Sequence, residues 1–141
     1  DSLKHVDIDG MPVGGELPTS FFEVCAQLEV CDFCQMQLTG AVPSSVGRLS
    51  RVRRLSLWGN RFEGEIPRTI GDCVELQELL LSQNQLSGPI PETIGRCVKL
   101  QMLLLSENQL SGPIPETIGR CVELKELSLF QNQLSGPIPE T

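Results

Sequence analysis

The chain has 141 residues and 40% hydrophobic content, enough for one domain with a sizeable core, and no apolar run is long enough to span a membrane. The formal net charge of −7 argues against general affinity for nucleic acid, because phosphates require a basic surface. One Trp, one His and no Tyr leave few of the residues that usually line enzyme pockets, and no catalytic residues are predicted.

Two imperfect copies of one pattern occupy the first part of the chain. In each copy, two apolar residues that are separated by one other residue precede a glycine, an apolar residue and a proline. These residues are Val6, Ile8, Gly15, Leu17 and Pro18 in the first copy, and Cys31, Phe33, Gly40, Val42 and Pro43 in the second. The step between these two copies is longer by one position than the later steps, because the segment 19–27 carries one extra residue.

Four regular copies follow at a constant spacing. Each copy has two leucines that are separated by one other residue, followed by an asparagine, a glycine and an Ile-Pro pair. The asparagines are Asn60, Asn84, Asn108 and Asn132. The alternating leucines indicate a half-buried strand, whereas glycine and proline are poor in a helix or central strand. One copy cannot bury its apolar face alone, so the copies must stack with their strands in parallel.

The pattern therefore predicts an α/β solenoid formed by residues 1–141 as a single domain. We expect a curved stack with a short-stranded parallel sheet on the concave face and loops or 3-10 turns on the convex face. The strand cores are predicted near residues 6–8, 31–33, 55–57, 79–81, 103–105 and 127–129. The inward asparagines should satisfy backbone groups at the turn, whereas Met11 and Met36 predict apolar filling in the first two copies.

The motif resembles the plant-type leucine-rich repeat, L-x-x-L-x-L-x-x-N-x-L-S-G-x-I-P-x-x-I-G. Residues 100–119 read LQMLLLSENQLSGPIPETIG, and the resemblance is strict over residues 52–141 and looser before them. Receptor-like kinase ectodomains and polygalacturonase-inhibiting proteins share this class. The resemblance implies recognition of a protein or ligand on the strand-lined concave face.

Two features of secreted relatives are missing from the sequence. There is no pair of cap cysteines, and none of the repeated asparagines has Ser or Thr two residues later, as glycosylation requires. These differences favour an intracellular or organellar location over the cell surface, and the location stays open.

The cysteines fall into two groups. Cys73, Cys97 and Cys121 recur once in each regular copy, at the slot that Leu49 fills one copy earlier, so we predict buried, reduced and unligated core residues. Cys31 and Cys34 form a C-x-x-C motif, but strand alternation points one into the core and the other onto the concave face. We predict no metal and no cofactor. Thiol redox or metal chemistry at Cys31 and Cys34 is the rival hypothesis.

Outward strand positions suggest where a partner would bind. Clustered exposed apolar side chains usually mark an interaction site, with Trp and Arg as common anchors. The predicted partner-binding residues are Arg54, Trp58, Leu80, Met102, Leu104 and Phe130. Asp7, Asp9 and Asp32 predict a solvated acidic rim, with a site for a cation or basic partner as the alternative.

These residues predict a scaffold for protein–protein interaction, either as a subunit of a larger assembly or as a ligand-recognising ectodomain. The sixth copy stops after Ile138 and Pro139, before the convex segment. An open solenoid end needs a cover. We expect more of the same polypeptide, a cap or another subunit after Thr141.

Overall fold

The computed structural model describes residues 3–7, 10–11 and 13–140, and they form a stack of repeats. Six three-residue strands pair in parallel in one sheet, in the same order in space as along the chain. They are His5–Asp7, Val30–Asp32, Arg54–Ser56, Glu78–Leu80, Met102–Leu104 and Glu126–Ser128. The predicted solenoid and its parallel concave sheet are therefore confirmed.

The strands keep a constant register from one repeat to the next. Leu55 lies opposite Leu79, and Leu79 lies opposite Leu103. Each strand begins one residue before the predicted core, but the ladder also continues beyond the strand end. The Leu57 amide, for example, donates to the Leu80 carbonyl at 2.9 Å. The difference therefore concerns the end residues of the strands and leaves the inward slots unchanged.

A second sheet lies where the sequence analysis predicted loops. Its strands are Glu63–Gly64, Gln85–Gly88, Gln109–Pro113 and Gln133–Ser135, all parallel. A separate pair joins Gly15–Glu16 to Leu38–Thr39. Gly and Pro argue against a strand in one isolated copy, but the neighbouring copy presents matching backbone groups at the same level. The stack, rather than local propensity, creates this sheet.

Short helices cover the convex face. Four are 3-10 helices, at Ser44–Arg48, Arg68–Asp72, Glu92–Arg96 and Glu116–Arg120, and one is an α-helix at Phe21–Val24. A proline precedes each 3-10 helix with φ between −60° and −66°, an angle that suits the start of a helix. No helix in the described part of the chain is long and apolar enough to cross a membrane.

The 3-10 helices pack closely against one another through threonine and glycine. The Thr93 hydroxyl donates to the Arg68 carbonyl at 2.6 Å, and the Thr117 hydroxyl donates to the Glu92 carbonyl at 2.6 Å. A Cβ placed on Gly95 would lie 2.7 Å from the Thr117 carbonyl oxygen. Only glycine allows this spacing of the convex turns.

One continuous core runs between the concave sheet and the convex helices, from Phe22 to Cys121. At its N-terminal end Phe21 packs edge-on against Phe22 and Phe33, with ring centroids 5.2 and 5.4 Å apart. At the other end Leu127 is 43% exposed and Ile138 is 83% exposed, because no described repeat packs on the sixth.

Candidate interaction surface on the concave sheet

A ladder of asparagines supports the turn that ends each concave strand. The Asn108 side-chain amide donates to the carbonyls of Leu81, Leu105 and Ser106 at 3.0–3.2 Å, and its oxygen accepts from the Leu86 amide at 3.0 Å. Asn60, Asn84 and Asn132 repeat these contacts. The predicted role of the asparagines is confirmed, and each one joins two consecutive repeats.

The methionines that replace asparagine behave differently from each other. Met36 is buried as predicted, and its backbone amide donates to the Asn60 side-chain oxygen at 3.0 Å. Met11 is 54% exposed, so the prediction of apolar filling is wrong there. Met11 lies in the first described repeat, and the described residues pack against that repeat on one side only.

The structure places the predicted apolar patch on the concave sheet, with unequal exposure. Phe130 is exposed, and Trp58, Met102 and Leu104 are half-buried. Leu80 is buried rather than exposed, and it lies between Ser56 and Leu104 in the sheet. Leu80 therefore forms part of the floor of the surface, and the other four apolar side chains keep solvent-exposed area.

Two serines between the aromatic side chains create a trough that the sequence analysis missed. Backbone hydrogen bonds place Trp58, Ser82, Ser106 and Phe130 in this order in adjacent repeats, each two residues after the end of its concave strand. The two serine hydroxyls lie 3.0 Å apart, and both side chains are buried. Three strand spacings separate the aromatic residues, about 14 Å between their backbones. Trp58 and Phe130 thus form the two sides of the trough, and the small buried side chains of Ser82 and Ser106 form its floor.

Arg54 is held between two carboxylates at the edge of this surface. Its Nε lies 2.9 Å from Asp32 Oδ1, and its Nη1 also pairs with Glu78. Burial lowers the pKa of Arg54, but the hydrogen bonds to Glu78 and Asp32 outweigh it and raise the pKa overall. Strand alternation predicts the outward position of Arg54, whereas its two partners lie on the strands of the preceding and following repeats.

The predicted acidic rim is only partly solvated. Asp7 is exposed and lies opposite Asp32 in the sheet. Asp32 is only 8% exposed and paired with Arg54, so a solvated role is wrong for this residue. Arg54 belongs to the next repeat, which is why the local pattern did not reveal the pair. Asp9 lies outside the described residues.

The two cysteines of the C-x-x-C motif have different surroundings. Cys31 is fully buried in the core, and burial is the main reason that its pKa is raised far above the usual range of a thiol. Cys34 contacts Ser56 instead, with 2.9 Å between sulfur and hydroxyl oxygen on the concave side. In the described part of the chain, no group of three or more His, Cys, Asp and Glu side chains is arranged to hold a metal.

The periodic cysteines form a buried row behind the convex helices. The thiol of Cys73 donates to the Val46 carbonyl at 3.3 Å, and that of Cys97 donates to the Ile70 carbonyl at 3.4 Å. Both are free thiols with no exposed surface, and burial raises the pKa of each to about 12. Cysteine thus fills the slot of Leu49 and adds a second donor to a helix carbonyl of the preceding repeat.

We expect Cys73 and Cys97 to resist thiol reagents in the folded protein, while the half-buried Cys25 reacts. The thiolate is the reactive form, and a pKa near 12 leaves almost none of it below about pH 10. Folding opposes ionisation, so raising the pH above the ordinary thiol pKa of 9.0 destabilises the fold through these groups. Labelling of both at the rate of Cys25 at pH 8, read by mass spectrometry, would contradict this.

The residue before each asparagine has left-handed backbone. Gly59 takes φ 74° there without strain, but Gln83, Glu107 and Gln131 take φ 54–57°. This conformation costs a side-chain-bearing residue roughly 1 kcal/mol. The same conformation recurs at this position in every regular copy, so it belongs to the turn that ends each concave strand.

A parallel-stranded solenoid with an asparagine ladder and 3-10 helices on its convex face defines a class of repeat protein. The family model described as leucine rich repeat matches residues 50–110 and 74–134. The chain belongs to the leucine-rich-repeat family. No curated protein matches the sequence.

Solved structures of plant receptors have the same fold. A TDR receptor superposes with a TM-score of 0.94 at 32% identity, over 97% of this chain and 24% of that one. The Arabidopsis receptor kinase HAESA, solved with the peptide hormone IDA and the co-receptor SERK1, gives 0.90 at 33% identity, over 96% of this chain and 23% of that one. The chain thus spans about a quarter of the length of these receptors.

The same fold also serves another class of protein. A plant ice-binding protein superposes with a TM-score of 0.84 at 28% identity, over 96% of this chain and 44% of that one. Because one fold hosts different activities, function must be argued from the residues on the surface.

Proposed function

We propose that this chain is a protein-interaction module that binds its partner on the concave sheet. The partner contacts Trp58, Met102, Leu104 and Phe130, with Arg54 at the edge and Leu80 in the floor. HAESA, whose structure contains a peptide hormone and a co-receptor, supports a protein as the partner. On this proposal the module acts as a rigid scaffold, and its chemistry is recognition.

The main support for this proposal is the location of the amino-acid differences between consecutive copies of the repeat. Residues 84–98 and 108–122 are identical, including exposed positions that other copies fill differently. The full copies 82–105 and 106–129 differ in five slots. These are Gln83 and Glu107, Lys99 and Glu123, Gln101 and Lys125, Met102 and Glu126, and Leu104 and Ser128. Three of them lie on the concave strand or the turn after it.

In residues 130–141 the difference from an earlier copy again falls on the concave side. Residues 130–141 match residues 82–93 at every position except the first, where Phe130 replaces Ser82. That position belongs to the aromatic trough. Within residues 82–141, the exposed residues of the second sheet and the 3-10 helices are the same from copy to copy, whereas the concave residues differ. A partner that contacts the concave face explains this distribution.

The repeats provide substitutions that the fold already accepts. Ser occupies the slot of Trp58 in two other copies and the slot of Leu104 in two others. Trp58→Ser and Leu104→Ser should therefore leave the fold intact but weaken partner binding by about 2 kcal/mol each, roughly 30-fold in Kd. The measurement selects peptides from a random displayed library on the wild-type chain and then determines their Kd for each variant.

Convex variants are the control for this experiment. Glu92→Gln and Glu116→Gln lie on 3-10 helices and should leave the Kd unchanged. Peptides that lose affinity for the convex variants and keep it for Trp58→Ser would show that the concave face is the wrong surface.

A further inference from the structure

Carboxylates outnumber cations on the concave face. Described positions on that face or in the turn after it carry five acidic residues, Asp7, Asp32, Glu78, Glu107 and Glu126, and one cation, Arg54. One positive and five negative charges leave a formal balance of −4. Arg54 is already engaged with Asp32 and Glu78, so its charge is not directed at Glu107 or Glu126.

Met102 lies at the centre of an acidic arrangement. In the sheet it is the direct neighbour of Glu78 on one side and of Glu126 on the other. Two strand spacings separate the glutamates, roughly 10 Å between backbones. Glu78 is already paired with Arg54, so a partner cation above Met102 interacts mainly with the carboxylate of Glu126. The half-buried thioether offers an apolar surface for the methylene stem of that cation.

Acidic and apolar groups alternate across the rest of the face. Leu104 lies two residues after Met102 on the same strand, and Ser106 of the aromatic trough lies two residues further along the chain. Glu107 directly follows Ser106 of the trough, and its carboxylate accepts a hydrogen bond from the Gln83 side-chain amide at 3.4 Å. A partner that crosses these rows meets a carboxylate, then apolar side chains, then a second carboxylate.

We propose that the occupant of the concave face is an extended protein segment in which arginine or lysine alternates with apolar side chains. This inference rests on the proposed function and specifies the chemistry of its partner. The cationic stem packs on Met102 and its head group reaches Glu126, while an apolar side chain enters the trough between Trp58 and Phe130. A second basic residue lies near Glu107.

Three synthetic octapeptides test the proposal on the whole chain. They alternate Arg with Leu, Glu with Leu, and Ser with Leu. Trp58 is the only tryptophan of the chain, so its fluorescence reports binding at the trough. The Arg-Leu peptide should bind at least tenfold more tightly than the other two, and its affinity should fall as salt is added.

Matched charge variants locate the effect. Glu126→Gln on the concave sheet should weaken the Arg-Leu peptide roughly fivefold, as expected for one partly exposed ion pair. Glu116→Gln removes the same charge from the convex face and should leave the affinity unchanged. Leu104→Ser should weaken all binding at the trough.

The outcomes separate this inference from the proposed function. If the Glu-Leu peptide binds as tightly as the Arg-Leu peptide and Leu104→Ser weakens both, the concave site stands and its basic specificity is wrong. If the Arg-Leu peptide is weakened equally by Glu116→Gln and Glu126→Gln and is insensitive to Leu104→Ser, it responds only to net charge. In that case both proposals fail.

Discussion

Replacing Asn108 by alanine is expected to lower the free energy of unfolding by about 4 kcal/mol. The side chain is 8% exposed and makes four hydrogen bonds to the backbone of two repeats. Each buried group left unpaired costs about 1–3 kcal/mol, and water entering the vacated space recovers part of the loss. Urea denaturation followed by circular dichroism measures the change.

Asn132 provides a matched control for this substitution. It makes the same four bonds in the sixth copy, but it is half-buried, so water replaces the lost partners at lower cost. We expect Asn132→Ala to lose about 1 kcal/mol. Equal losses at the two positions would show that burial of the ladder does not set its contribution.

Gly95→Ala is expected to destabilise the stack by about 3 kcal/mol. The backbone of Gly95 lies outside the left-handed region, so alanine in isolation would favour the folded state slightly. The added Cβ, however, would lie 2.6 Å from Thr117 Cβ and 2.7 Å from its carbonyl oxygen. Backbone of the next repeat cannot yield without separating the helices, and overpacking of this kind costs about 1–3 kcal/mol. Thermal and urea unfolding both measure the loss.

Gly112→Ala separates steric contact from backbone strain. Gly112 has φ 75° but nothing within 4 Å of an added Cβ. We expect a loss of about 1 kcal/mol from the left-handed conformation alone. If Gly112→Ala is the more destabilising of the two, the close approach of the convex helices does not limit the spacing of repeats.

The repeat and its inward-facing residues follow from the amino-acid sequence alone. The constant period places each leucine, asparagine and cysteine of one copy in the slot of the next. A buried asparagine needs partners and a buried cysteine packs as a hydrophobe, so both roles follow from residue chemistry and position. Strand alternation likewise assigned Trp58, Met102, Leu104 and Phe130 to the outer face.

The way in which neighbouring copies complete one another emerges only in the folded stack. Three features join residues of consecutive repeats. They are the second sheet, the pairing of Arg54 with Asp32 and Glu78, and the contact between the Ser82 and Ser106 hydroxyls. Burial of Leu80 depends on its neighbours in two other repeats. Each of these features depends on distances and side-chain directions between strands, and a periodic pattern fixes which residues are neighbours but not the contacts they make.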